Sequence, residues 1–258
     1  MPVPRPFPTA TLLMALPMAL LMALFASIGA PAACAQDAPA PAALVRSWLR
    51  HQVEHGADAV RFTFDERSEL TTDGPFGTRR IRQEVRVTGG AGDAPWERTF
   101  VALSVNDRPV GPGRWGEPGR RRHGVESPPM ERIMRESHLG PRLFERMRTT
   151  GTAARDAVGS ADAWRVEFLP RDPAAPAERL TLWFDRTGAR LLRARMLLRR
   201  ERGEAPLQVT TDYTRIDGLD VPRARHIEGT LQLRRRMRTF TVLFSYRGEY
   251  DHYRFFAD

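Results

Sequence analysis

From Val60 onward, apolar side chains recur at every second position in run after run, and that period restricts most of the chain to half-buried β-strands. Val60, Phe62 and Phe64 alternate with Arg61, Thr63 and Asp65; Ile81, Val85 and Val87 follow a turn marked by Thr72, Asp73, Gly74 and Gly77; Phe100 to Val105 is apolar on both faces. A second series is more regular. Trp164, Val166 and Phe168 lead to Leu180, Leu182 and Phe184, then to Leu192, Ala194, Met196 and Leu198. Leu207, Val209, Thr211 and Tyr213 precede the turn Asp217-Gly218-Leu219-Asp220, and Ile227, Gly229, Leu231 and Leu233 lead to Phe240, Val242, Phe244 and Tyr246. Short connections predict antiparallel meanders. Runs of up to about 12 residues reach about 40 Å, twice the usual strand. Strands that long, apolar on one face and Arg-rich on the other, must curl around something apolar or be covered by it.

Two segments break the period. Leu44, Val45, Trp48, Leu49 and Val53 fall on one side of a helical wheel, opposite Arg46, Ser47, Arg50 and Glu54, and Gly56 ends the pattern. Burying five such side chains is worth roughly 8 to 15 kcal/mol before entropy, so this helix is expected to dock. Between the two strand series, residues 107–127 are dense in Pro, Gly and Arg and read as an exposed loop. Residues 128–150 read as a helical insertion: Ser127-Pro128-Pro129 starts it, Met130, Ile133 and Met134 give it an apolar edge, and a second short helix carries Leu143, Phe144 and Met147. The fold class predicted is α+β and mostly antiparallel β: a curved open sheet, or half-barrel, with an N-terminal helix and a helical insertion covering its concave face.

The first segment has a different character. Arg5 is the only charge before Asp37, Thr9 to Ala30 is nearly all apolar, and Ala33-Cys34-Ala35 fits a small-x-small cleavage site. Residues 1–35 therefore read as a signal peptide, 36–43 as a flexible leader and 44–258 as one domain, exported to the bacterial periplasm. A lipoprotein anchored at Cys34 and an uncleaved membrane anchor are the alternatives. All 40 basic residues are Arg, and the formal charge is +9. An excess of Arg without Lys, beside many Ala, Pro and Gly, matches the output of a GC-rich genome better than a nucleic-acid site, and no nucleic-acid partner is expected.

Signal peptide, docked helix, meander, helical insertion and second long meander together resemble the periplasmic lipoprotein-carrier family, the LolA/LolB-like half-barrels, over residues 44 to 250. The segments Ala163-Trp164-Arg165-Val166-Glu167-Phe168-Leu169-Pro170 and Arg215-Ile216-Asp217-Gly218-Leu219-Asp220-Val221-Pro222 sit where such proteins carry similar strands and turns. The resemblance implies an open curved sheet around an apolar cavity partly closed by helices, with an acyl chain, free or on a lipoprotein, as ligand. It carries over no functional residue. The residues themselves suggest a non-enzymatic binding protein whose cavity or lid is built from Met130, Met134, Phe144, Met147, Phe62, Phe64, Phe184 and Phe244. The alternative is an envelope protein-interaction module whose core these side chains fill, leaving no ligand space.

One motif points to chemistry. His51-Gln52-Val53-Glu54-His55 matches the H-x-x-E-H pattern, in which two His bind zinc and the Glu activates water. No third ligand stands out downstream, and the same residues serve as one edge of an amphipathic helix, so a zinc hydrolase using His51, Glu54 and His55 is the third reading. No cofactor or metal is assigned. His123, His138, His226 and His252 lack metal-ligand spacing, and Arg120-Arg121-Arg122 and Arg234-Arg235-Arg236 read as solvated charge or as contacts to an acidic partner. The C-terminal Tyr246, Tyr250, Tyr253, Phe255 and Phe256 are expected to close a sheet edge.

Overall fold

A computed structural model describes residues 38–55, 61–89, 97–111, 133–134, 136–137, 139, 141–200, 205–235 and 238–256. The signal segment with Cys34, Val60, Met130, Arg120 to His123, and His138 lie outside these residues. Everything below concerns the unit Pro39–Asp258.

The first helix, α1 (Pro41–Glu54), starts inside the segment read as a flexible leader. Pro41 opens it after Ala40. A proline costs nothing in the first turn, because its missing N–H would have had no intrahelical acceptor there. Leu44, Val45 and Trp48 are buried as the wheel predicts. Val53 is not: it is 61% exposed, and in its turn it is Gln52 that meets the sheet, at Asp220.

The strands are β1 (Arg61–Gly74), β2 (Gly77–Gly89), β3 (Glu97–Val105), β4 (Arg108–Pro109), β5 (Met147–Thr149), β6 (Ala154–Val158), β7 (Ala161–Pro170), β8 (Ala177–Asp185), β9 (Leu191–Leu198), β10 (Leu207–Ile216), β11 (Leu219–Arg235) and β12 (Arg238–Phe256). They form one antiparallel sheet in the order β4-β3-β2-β1-β12-β11-β10-β9-β8-β7-β5, with β6 also on β7. Each neighbour is the next strand in sequence except where β1 meets β12 and where β7 meets β5. The ends of the path do not pair, so the sheet is open. Register shifts at Thr63/Asp65, Glu84/Val85, Asp212/Tyr213, Ala177/Arg179 and Trp183/Phe184 bend it into a curve.

Several sequence expectations change. The 19-residue β12 lies between β1 and β11, so the C-terminal aromatics sit in the middle of the sheet and not at an edge. Within the segment read wholly as loop, Arg108 and Pro109 pair with Val105 and Ser104, a tight hairpin made possible by positive φ at Asn106 and Asp107. The insertion holds a short helix, α2 (Pro141–Glu145), but Met147 belongs to β5, paired with Pro170. β6 was not legible at all, since Ala154-Arg155-Asp156-Ala157-Val158 carries no period-two apolar pattern.

Paired residues share a face, so the register separates inside from outside. The outer face carries arginines in cross-strand ladders, such as Arg86 with Asp65 at 2.8 Å and Arg82 with Glu69 at 2.6 Å. The inner face of β7 to β11 is a filled core: Val166, Leu180, Leu182, Phe184, Leu191, Leu207 and Ile227 are each 0% exposed. The insertion covers it. Ile133, Leu143 and Met147 are buried in the same cluster, and Phe144 meets Trp48 edge-on at 6.1 Å and Phe168 at 5.9 Å.

Candidate ligand cavity

The inner face is not apolar throughout. Where β1 meets β12, the pairs Glu66–Tyr250, Ser68–Gly248 and Leu70–Tyr246 bring a polar stripe inside, and Arg225 and Thr211 continue it across β11 and β10. Glu66 is only 3% exposed, yet its carboxylate accepts from Ser68 Oγ at 3.1 Å, the Tyr246 hydroxyl at 3.1 Å and Arg98 Nη2 at 2.7 Å. A buried charge is tolerated where it is paired and hydrogen-bonded in this way. Gly248 has a packing reason. A Cβ there would stand 2.5 Å from the Tyr246 hydroxyl and 3.0 Å from that of Tyr250, two groups that meet each other at 3.2 Å.

Beyond the stripe lies a second, smaller apolar cluster of Phe64, Val85, Val87 and Tyr250, against which Phe62, Phe100 and Tyr253 pack. Between it and α1 is a cavity of about 310 Å³. One wall is aromatic, with Phe62, Phe64, Tyr250, Tyr253 and Phe255. Phe64 lies 5.8 Å from Tyr250 and 5.1 Å from Tyr253, and the Tyr253 hydroxyl donates to Pro222 O at 2.7 Å. The opposite wall is Met134 with Leu219, Val221 and Pro222 of the β10–β11 hairpin. Polar groups from Gln52, Glu66, Arg98, Asp220 and Arg225 reach the same space.

Asp220 fixes that wall. The hairpin turns on Asp217 and Gly218, both at positive φ (50° and 84°), the two-residue turn that Asp-Gly favours. It delivers Asp220, whose side chain is 0% exposed, to Arg215 at 2.8 Å and 3.0 Å, to the Leu191 N–H at 2.8 Å and to Trp48 Nε1 at 3.1 Å. The Asp220 N–H donates to Gln52 Oε1 at 3.2 Å. A single carboxylate thus joins α1, the hairpin and β9.

Burial raises the pKa of all four tyrosines. Desolvation pushes Tyr213 up to about 12 and lifts Tyr246, Tyr250 and Tyr253 above the ordinary phenol value. The cavity's phenols are therefore neutral hydrogen-bonding groups at physiological pH.

Of the residues singled out in the sequence, Phe62, Phe64 and Met134 line the cavity. Phe184, Phe244 and Met147 pack in the filled core at 0%, 4% and 2% exposure, and Phe144 is wedged between Trp48 and Phe168. Met130 lies outside the described residues. The polar members and the tyrosine wall were missed, because nothing in the sequence announces that β12 pairs with β1. His51, Glu54 and His55 assemble no metal set: among the described residues the ligand-type groups within 4.8 Å of one another are Asp65, Asp251 and His252. Those carboxylates already accept from Arg86 and Arg67, while His55 Nδ1 faces His51 O at 2.8 Å. Among the described residues no helix is long and apolar enough to cross a membrane.

No protein-family model matches the sequence, and no curated relative matches it. Among solved structures it is similar to a Vibrio parahaemolyticus domain described as an outer membrane lipoprotein-sorting protein, at 12% identity over 81% of this chain and 92% of that one, TM-score 0.38. It is similar to a LolA superfamily protein from Nitrosomonas europaea at 10% identity, 84% and 94% coverage and TM-score 0.38. A third likeness is to MucB, solved in complex with MucA, at 12% identity, 80% and 93% coverage and TM-score 0.21. The open, curved antiparallel sheet stands on the strand path itself.

Proposed function

We propose that the chain is an exported, periplasmic, non-enzymatic binding protein that holds an acyl chain or another apolar ligand on the concave face of its half-barrel. The observation that carries this reading is the aromatic cavity between α1, the β10–β11 hairpin and the β1–β12 junction, about 310 Å³ in volume. That volume lies at the lower end of small-molecule sites, about 300 to 1,000 Å³, which are mostly apolar with a few placed polar groups. Native mass spectrometry of protein purified gently from the cell envelope tests it. A population heavier than the chain by one amphiphile is the expected result, and a uniformly ligand-free mass contradicts it.

The filled half of the inner face favours a second reading, an envelope protein-interaction module without a ligand. Crosslinking in cells that recovers one protein partner, from a preparation with no bound amphiphile, would favour that module over the carrier.

A further inference from the structure

We propose that the cavity selects single-chain amphiphiles with an anionic head, a carboxylate or a phosphate monoester, and seats that head against Arg225. The inference rests on the cavity being a ligand site and extends it to the class of ligand. The polar side of the cavity holds more donors than acceptors. The Glu66 carboxylate is occupied by Ser68, Tyr246 and Arg98, and that of Asp220 by Arg215, Leu191 and Trp48.

The donors are less well served. Arg225 gives its Nε–H to the Thr211 hydroxyl at 3.2 Å and Nη1 to the Met134 thioether at 3.2 Å, so among the described residues its hydrogen-bond partners are uncharged and one is a weak acceptor. Arg98 Nε and Gln52 Nε2 are buried with no hydrogen-bond partner among the described residues. Gln52 Oε1 is held by the Asp220 N–H, which fixes its amide nitrogen as the unused end. Buried donors without acceptors are costly, and an oxyanion supplies several acceptor lone pairs at once.

The rest of the space suits a chain. Counting the roughly 30 Å³ that a water takes in the liquid as the share of one heavy atom, about 310 Å³ accommodates on the order of ten heavy atoms. The ligand class is therefore a medium-length apolar tail, lying along Phe64, Tyr250 and Tyr253, with its charged end at Arg225.

Isothermal titration of the protein at neutral pH with decanoate and decyl phosphate, each below its micelle concentration, and with 1-decanol below its solubility limit, tests this. At least one of the two anions is expected to bind about tenfold or more tightly than 1-decanol, the effect of a charged hydrogen-bonded contact. The tighter anion identifies carboxylate or phosphate as the head. Arg225→Gln is expected to abolish the preference, bringing both anions to the affinity of 1-decanol for the same variant, while Arg225→Lys retains part of it. A neutral alcohol that binds as well as both anions overturns the proposal and leaves the cavity standing as a ligand site. A preference that survives in Arg225→Gln overturns it too. If none of the three binds, the cavity reading falls with it. The comparison on the unsubstituted protein decides even if Arg225→Gln fails to fold.

Discussion

The indole N–H of Trp48 donates to Oδ2 of Asp220 at 3.1 Å, a contact between residues 172 apart in sequence. It fastens the helix that bounds the cavity to the hairpin that forms its far wall. Asp220→Ala would leave the Arg215 guanidinium, the Trp48 indole and the Leu191 N–H without this acceptor. The expected loss is roughly 3 kcal/mol, against about 1 to 2 kcal/mol for Trp48→Phe, which keeps a ring in place. Urea unfolding midpoints measure both.

Core and cavity aromatics should separate in their effects. Phe184 is 0% exposed in the filled core, so Phe184→Ala is expected to cost about 3 to 5 kcal/mol of stability. Phe62 is half-buried on the cavity wall. Phe62→Ala is expected to cost about 1 kcal/mol or less while weakening amphiphile binding. Paired unfolding and binding measurements on the two variants check the contrast.

The tyrosines give the fold an alkaline limit. A phenol whose pKa is raised on folding holds its proton more tightly in the native state, so its contribution is complete below the unfolded value near 10 and is lost as pH rises through the folded value. For Tyr213, pushed up to about 12 by burial, that window runs from pH 10 to about 12 and is worth on the order of 2 to 3 kcal/mol. All four tyrosines shift the same way. Phenolate absorbance should therefore stay flat through pH 10 and rise together with loss of secondary structure. A smooth titration centred near 10 in the folded protein would contradict their burial.

Gly248 is expected to be intolerant of a side chain although its φ is not in the left-handed region. Gly248→Ala places a methyl 2.5 Å from the Tyr246 hydroxyl and so displaces the group that donates to Glu66 and meets Tyr250. The expected cost is about 1 to 3 kcal/mol in unfolding experiments, with amphiphile affinity falling as Tyr250 moves.

Much of this fold is legible in sequence because the strands are half-buried. Leu180, Leu182 and Phe184 show the period in full, and Asp217-Gly218 marks its hairpin through the backbone angles that turn requires. What could not be read is long-range pairing. The junction of β1 with β12 joins the two ends of the described strand series, and it decides that Tyr246 and Tyr250 meet Glu66 inside the sheet. The alternation Phe64, Glu66, Ser68, Leu70 is a buried face with a polar stripe. Phe184 and Phe244 were indistinguishable in sequence from Phe62 and Phe64. Whether an inward aromatic fills a core or borders a space depends on what stands opposite: Phe184 meets the Trp48 ring at 6.4 Å, whereas Phe62 and Phe64 border the space in front of Gln52 and the β10–β11 hairpin.

At the β1–β12 junction the concave face holds an apolar space of about 310 Å³. Calorimetric titration with 1-decanol, on the unsubstituted protein and on Val221→Trp, whose indole would occupy that space, is the sharpest test. One saturable site per chain is expected, displaced by decanoate and lost in Val221→Trp while the variant keeps its unfolding transition. Absence of saturable binding, or binding unchanged in the filled variant, would contradict it.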